Sequence, residues 1–152
     1  MQIIRKAPTA LRHARATIAF DGTAGNGATG TATIFTLTGR VLIDLMSCYC
    51  TESLASAGGG TIEVGTASDT DAFFIGAAAT SHVLDDWLAQ AAASAAGAIT
   101  VPASNTAGYS NAQANKAISE NVIATIGTAA ITDGTLVFDV WYFPLTDDGA
   151  LA

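Results

Sequence analysis

Residues Asn121–Pro144 read NVIATIGTAAITDGTLVFDVWYFP, and this stretch decides the class of the fold. Val122 to Ile131 is rich in β-branched residues and alanine and has no helical stripe. Asp133-Gly134 follows, a pair that tolerates positive φ at both positions, and predicts a tight hairpin. Thr135 to Phe143 is then the best strand in the chain. Side chains alternate along a strand, so Leu136, Phe138, Val140 and Tyr142 share one face, which is expected to be core. Val137, Asp139, Trp141 and Phe143 share the other. One carboxylate among three large apolar groups predicts a face covered by a second sheet or by another molecule. Pro144 ends the strand because it has no N–H to donate.

Working outward, the 152 residues suit a single domain with a sizeable core. Half are hydrophobic, many of them alanine, and 12% are charged, where about a quarter is usual. That composition suits short strands, turns and buried subunit contacts more than an active site. The net charge of −7 is unevenly placed: Arg5, Lys6, Arg12 and Arg15 give residues 1–15 a charge of +4 and leave −11 on the rest. An acidic body argues against a nucleic-acid partner. A basic arm on it suggests a grip on an acidic neighbour, and the plain alternative is a frayed terminus. We divide the chain into an extended arm, 1–14, a β-sandwich domain, 15–146, and a tail, 147–152. No long apolar run predicts a membrane partner, and Met1 to Arg5 places no apolar segment behind its charges to make a secretory signal.

Other strands are expected at Arg15 to Phe20, Thr31 to Thr38, Arg40 to Cys50, Thr61 to Gly65 and Ile99 to Val101, with a short element at Ala72 to Ile75. In the longest of these, Val41, Ile43, Leu45, Ser47 and Tyr49 alternate with Leu42, Asp44, Met46, Cys48 and Cys50, so both faces are apolar. Thr23–Gly30, Thr51–Gly60 and residues 103–117 read as loops. Ser81 to Gly97 favours a helix, on the spacing of Leu84, Trp87, Leu88 and Ala91, over a strand ending at Trp87. The class is all-β: a jelly-roll-like antiparallel sandwich with at most one short helix.

Few residues invite chemistry. Cys48 and Cys50 point the same way in a strand and are expected to be reduced, buried thiols. His82 and Asp86 would form an i,i+4 pair on a helix, but an exposed cluster with Asp85 at a helix start is the simpler expectation. Asp69 and Asp71 lack the glycine and distal glutamate of a calcium loop. His13 lies among arginines, and no Gly-x-Ser-x-Gly elbow occurs. We therefore expect no catalytic residues, no metal and no cofactor.

Two longer patterns carry a resemblance. TGRVLIDLMSCYCTESLASAGGGTIEVGTASDTDAFFIGAAAT, Thr38–Thr80, and ENVIATIGTAAITDGTLVFDVWYFPL, Glu120–Leu145, with Trp87 between them, resemble a family of capsid decoration, or cement, proteins of tailed bacteriophages. The motifs are structural glycines and strand residues, and the alanine-rich stretch from Ala89 to Ala117 departs from the pattern. The resemblance implies a β-sandwich made in the host cytoplasm that binds the outside of a capsid as a dimer or trimer. The expected partners are the major capsid protein and further copies of the chain. Ile3, Ile4, Arg5, Lys6, Leu11, Arg12 and Arg15 are then candidate arm contacts, and Val137, Asp139, Trp141 and Phe143 the candidate interface. The alternative is a tail-fibre or head-fibre module that recognises host glycan. Glycan binders more often carry aromatic residues in loops, and Tyr109 is the only aromatic residue in the long loop.

Overall fold

The computed structural model describes residues 10–89, 99–101 and 116–152. In chain order its strands are β1 Arg12–Ala19, β2 Gly30–Phe35, β3 Leu37–Thr38 and β4 Val41–Ala55, followed by β5 Thr61–Gly65 and β6 Phe74–Ala78. A 3-10 turn, Ala79–Ser81, precedes β7 Trp87–Ala89 and β8 Ile99–Val101. The remainder are β9 Lys116–Ile118, β10 Val122–Gly127, β11 Asp133–Pro144 and β12 Ala150–Leu151. This is the all-β antiparallel sandwich the sequence predicts. The main sheet runs β1-β11-β4-β7-β8, with β9 also on β4. The second runs β2-β10-β5-β6, and β12 pairs with β3 in a small ribbon.

The core lies between the two larger sheets. Leu136, Phe138, Val140 and Tyr142 of β11 point into it and are at most 4% exposed, as their alternation requires. From the second sheet Ala32, Ile34, Val122, Ala124, Ile126, Ile62 and Val64 join the same buried cluster. Cys48 and Cys50 are free, buried thiols, and burial pushes both above the usual thiol range.

The expected hairpin at Asp133-Gly134 does not form. β10 is bonded on both edges, to β2 and β5, and β11 on both edges, to β1 and β4, so neither has an edge left for the other. Residues 128–132 instead cross from one sheet to the other. The crossing is pinned at its C-terminal end: Ile131 N–H donates to Gly27 O at 2.8 Å and Thr132 N–H to Ala55 O at 2.8 Å. Asp133-Gly134 forms an irregular step in the β11–β4 register. The positive φ is real, at +103° for Gly134, but it serves the close approach of β4: a Cβ there would stand 2.5 Å from Ser53 O.

Four further expectations are corrected. In β4 the alternation breaks: Trp141 pairs with Leu45 and Tyr142 with Ile43, which skips Asp44. The bulge sends Val41 and Ile43 inward at one end and Cys48 and Cys50 inward at the other, so the two expected faces exchange members. Residues 82–89 form no helix. Backbone groups on the edge of β4 hold a turn that leads into β7, through Leu54 N–H to His82 O at 3.0 Å and Cys50 N–H to Asp86 O at 2.8 Å. The helical stripe fails with it, since Leu84 is 55% exposed and Leu88 only 4%; Ala91 lies outside the described residues. β1 begins at Arg12, inside the expected arm, because Arg12, His13 and Ala14 continue the ladder to Tyr142, Trp141 and Val140. The expected tail holds β12: Leu151 is 6% exposed, and its N–H donates to Tyr142 Oη at 3.3 Å.

Candidate interaction surface

Residues directly opposite in an antiparallel ladder share a face, so the register assembles the outer surface of the main sheet. Along β11 it carries Val137, Asp139, Trp141 and Phe143. Opposite them, β1 contributes Thr17 at Val137, Arg15 at Asp139 and His13 at Trp141. β4 contributes Tyr49 at Val137, Ser47 at Asp139, Leu45 at Trp141 and Leu42 at Phe143. Trp87 of β7 lies opposite Tyr49. Sequence reasoning found the β11 quartet. It missed Leu45, Tyr49 and Trp87 as members, because only the register brings three strands side by side.

The middle of this face is an ion pair. Arg15 Nε donates to Asp139 Oδ1 at 2.8 Å and Nη2 to Oδ2 at 3.0 Å, a bidentate grip. His13 Nε2 donates to the same Oδ1 at 2.6 Å. Asp139 is 7% exposed. The Arg15 hydrogen bonds hold its carboxyl below the usual range, although burial alone pushes the other way; the same bonds raise Arg15. Asp139, named from the sequence as a candidate interface residue, is thus already satisfied within the chain. Arg15 cancels its charge, and the face presents apolar groups around a neutral centre.

Aromatic pairs flank that centre. His13 tilts over Trp141 with ring centroids 5.0 Å apart, and Tyr49 over Trp87 at 4.7 Å. The Tyr49 hydroxyl donates to Asp85, and that bond raises its pKa. Leu45 is 45% and Trp87 40% exposed, with Val83 and Leu84 also open on the turn before β7. Such a surface has shape and apolar area to offer. Of the arm candidates, Arg12 Nη1 donates to Gly149 O at 3.3 Å and Leu11 is exposed. Ile3, Ile4, Arg5 and Lys6 lie outside the described residues.

The chemical candidates part company. Asp69 faces Lys116 Nζ at 3.8 Å, beside a cleft of about 300 Å3 lined by Thr66, Ser68, Ser119 and Glu120. The His82 cluster is not exposed as expected: His82 and Asp86 are buried and only Asp85 is open. Among the described residues, no group of three or more His, Cys, Asp or Glu side chains could hold a metal ion.

Two solved structures share this architecture along nearly the whole chain. One is a chain of the cyanophage Pam1 capsid asymmetric unit, with a TM-score of 0.53 at 15% identity over 94% of this chain and 91% of that one. The other belongs to the acidic stable capsid structure of Helicobacter pylori bacteriophage KHP30, with a TM-score of 0.50 at 14% identity over 96% and 95%. At these identities the likeness is one of fold. No protein-family model and no curated protein matches the chain.

Proposed function

We propose that this chain is a structural virion protein that binds the outer surface of a phage capsid and stabilises it by bridging major capsid subunits. It acts as a homo-oligomer, without catalysis and without a cofactor. The observation that carries this reading is the outer face of the main sheet: apolar and aromatic groups from β11, β4 and β7 around a carboxylate already neutralised by Arg15. A partner that covers it buries apolar area without leaving the Asp139 carboxylate unpaired, which costs less than burying a lone charge. The shared fold with chains of two phage capsid structures supports the same reading.

The mechanism is contact area. Each Å2 of apolar surface buried contributes roughly 25 cal/mol, from which association costs are subtracted. Many copies on one shell act in parallel, so modest individual contacts add to a large resistance against outward pressure. The acidic body disfavours the packaged nucleic acid as a partner. Arg12 and Arg15 are spent within the chain, which leaves Arg5 and Lys6 as the basic residues that would contact a neighbour.

Reconstitution tests the proposal. Purified chain, added to expanded capsids that lack it, binds at many sites per particle and raises their rupture temperature. Binding to host cells or glycans, with no effect on capsids, would favour a fibre module.

A further inference from the structure

His82 is 1% exposed, and neither ring nitrogen has a hydrogen-bond partner among the described residues. A neutral imidazole has one donor and one acceptor, and buried polar atoms are nearly always paired. Leaving both unpaired costs free energy, and an added proton would place a charge and a second unpaired donor in the same space.

The surroundings offer that charge little. The 3-10 turn before His82 brings no charged residue. On β4, which runs alongside, Cys50 is a neutral thiol held so by burial, and Leu54 is apolar. Glu52 accepts from Thr135 Oγ1 at 3.0 Å. On the turn itself, Asp85 is engaged by the Tyr49 hydroxyl. Asp86 is 5% exposed and spends Oδ2 on Val83 N–H at 3.0 Å. Asp86 pulls the His82 pKa upward, and burial, the larger effect, lowers it.

We propose that His82 is an acid-sensitive latch: its protonation expels the ring and releases the His82–Asp86 turn from β4 while the two sheets stay folded. The turn is tied to β4 by local hydrogen bonds at its rim: Leu54 N–H to His82 O, the paired Cys50–Asp86 and Asp85–Cys50 bonds, Leu84 N–H to Ser53 Oγ and the Tyr49 hydroxyl to Asp85. Such segments open locally at a fraction of the global free energy. Val83 and Leu84, 48% and 55% exposed, ride on it and lead into Trp87. The latch therefore sets the shape of one end of the outer face, whatever covers that face.

The sign follows from linkage. With the folded pKa depressed, the closed turn is fully favoured above the open-state value of about 6.5 and loses favour as pH falls below it, by up to about tenfold per unit. Amide hydrogen exchange on the full chain, corrected for intrinsic rates, reads this directly. Between about pH 7.5 and about pH 5, which bracket the ordinary histidine value, protection of the His82–Asp86 amides should fall by up to about 30-fold while that of β10 and β11 persists. In His82→Leu, the turn's protection should be independent of pH. Unchanged protection in the native chain, or an equal loss in His82→Leu, overturns the proposal. Should the leucine chain not fold, the His82 ring resonance decides, with His13→Gln assigning it. Ring titration coincident with loss of protection supports the latch; titration with the turn still protected, or loss with the ring still neutral, overturns it.

Discussion

Arg15 on β1 and Asp139 on β11 stand directly opposite each other and close a bidentate ion pair, at 2.8 and 3.0 Å, on the outer face of the main sheet. The sequence suggested separate roles for them, one in a gripping arm and one in an interface. Joined, they let the edge strand β1 hold its neighbour β11 while removing a charge from the surface offered to a partner.

Asp139→Asn should therefore weaken the fold, by about 1.5–3 kcal/mol for hydrogen bonds that involve a charged group. The loss should depend on pH. The Asp139 carboxyl is lowered in the folded chain, chiefly by Arg15. Its contribution is present above the unfolded value of about 3.9 and disappears as pH falls through the lower folded value. Urea unfolding at neutral pH and in that acid range checks both points: the gap between native and variant chains should narrow in acid.

Phe138→Ala removes a fully buried ring from the core and should cost about 3–5 kcal/mol. Chemical denaturation measures it, and an unchanged midpoint would contradict the burial.

Gly134→Ala should destabilise by more than about 1 kcal/mol. The φ of +103° disfavours any side chain, and the added Cβ would meet Ser53 O and Leu54 Cα at 2.5 and 2.7 Å. A thermal melt reads the loss directly.

What could be read from the sequence was whatever depends on local alternation. The inward quartet of β11, the buried cysteines and the strand Thr61–Gly65 all follow from side-chain periodicity and residue type. What escaped depends on which strand finds which edge. Asp133-Gly134 has the local chemistry of a hairpin, but β10 and β11 belong to different sheets. Asp44 sits at a bulge that reverses the faces of β4, and no local signal marks it. Trp87 and Leu88 sit at helical spacing from Leu84, yet the open edge of β4 claims them for a strand. For the outer face, the β11 residues were visible one strand at a time; their neighbours on β1, β4 and β7 appear only once the register is known.

Removing residues 147–152 should cost about 2–3 kcal/mol, the burial of a leucine side chain. Leu151 is 6% exposed, and Thr36 exchanges two backbone hydrogen bonds with Ala152, at 2.7 and 3.1 Å. A dispensable tail would leave the unfolding midpoint unchanged.

Binding to expanded capsids, compared between the native chain and Leu45→Asp, tests the proposed role most directly. Leu45 is 45% exposed, so the substitution leaves the core intact and places an uncompensated charge on the outer face. The native chain should bind at many sites per particle and raise the rupture temperature, and Leu45→Asp should fold but lose most of that binding. A native chain that does not bind capsids, or a Leu45→Asp chain that binds and stabilises them equally well, would contradict it.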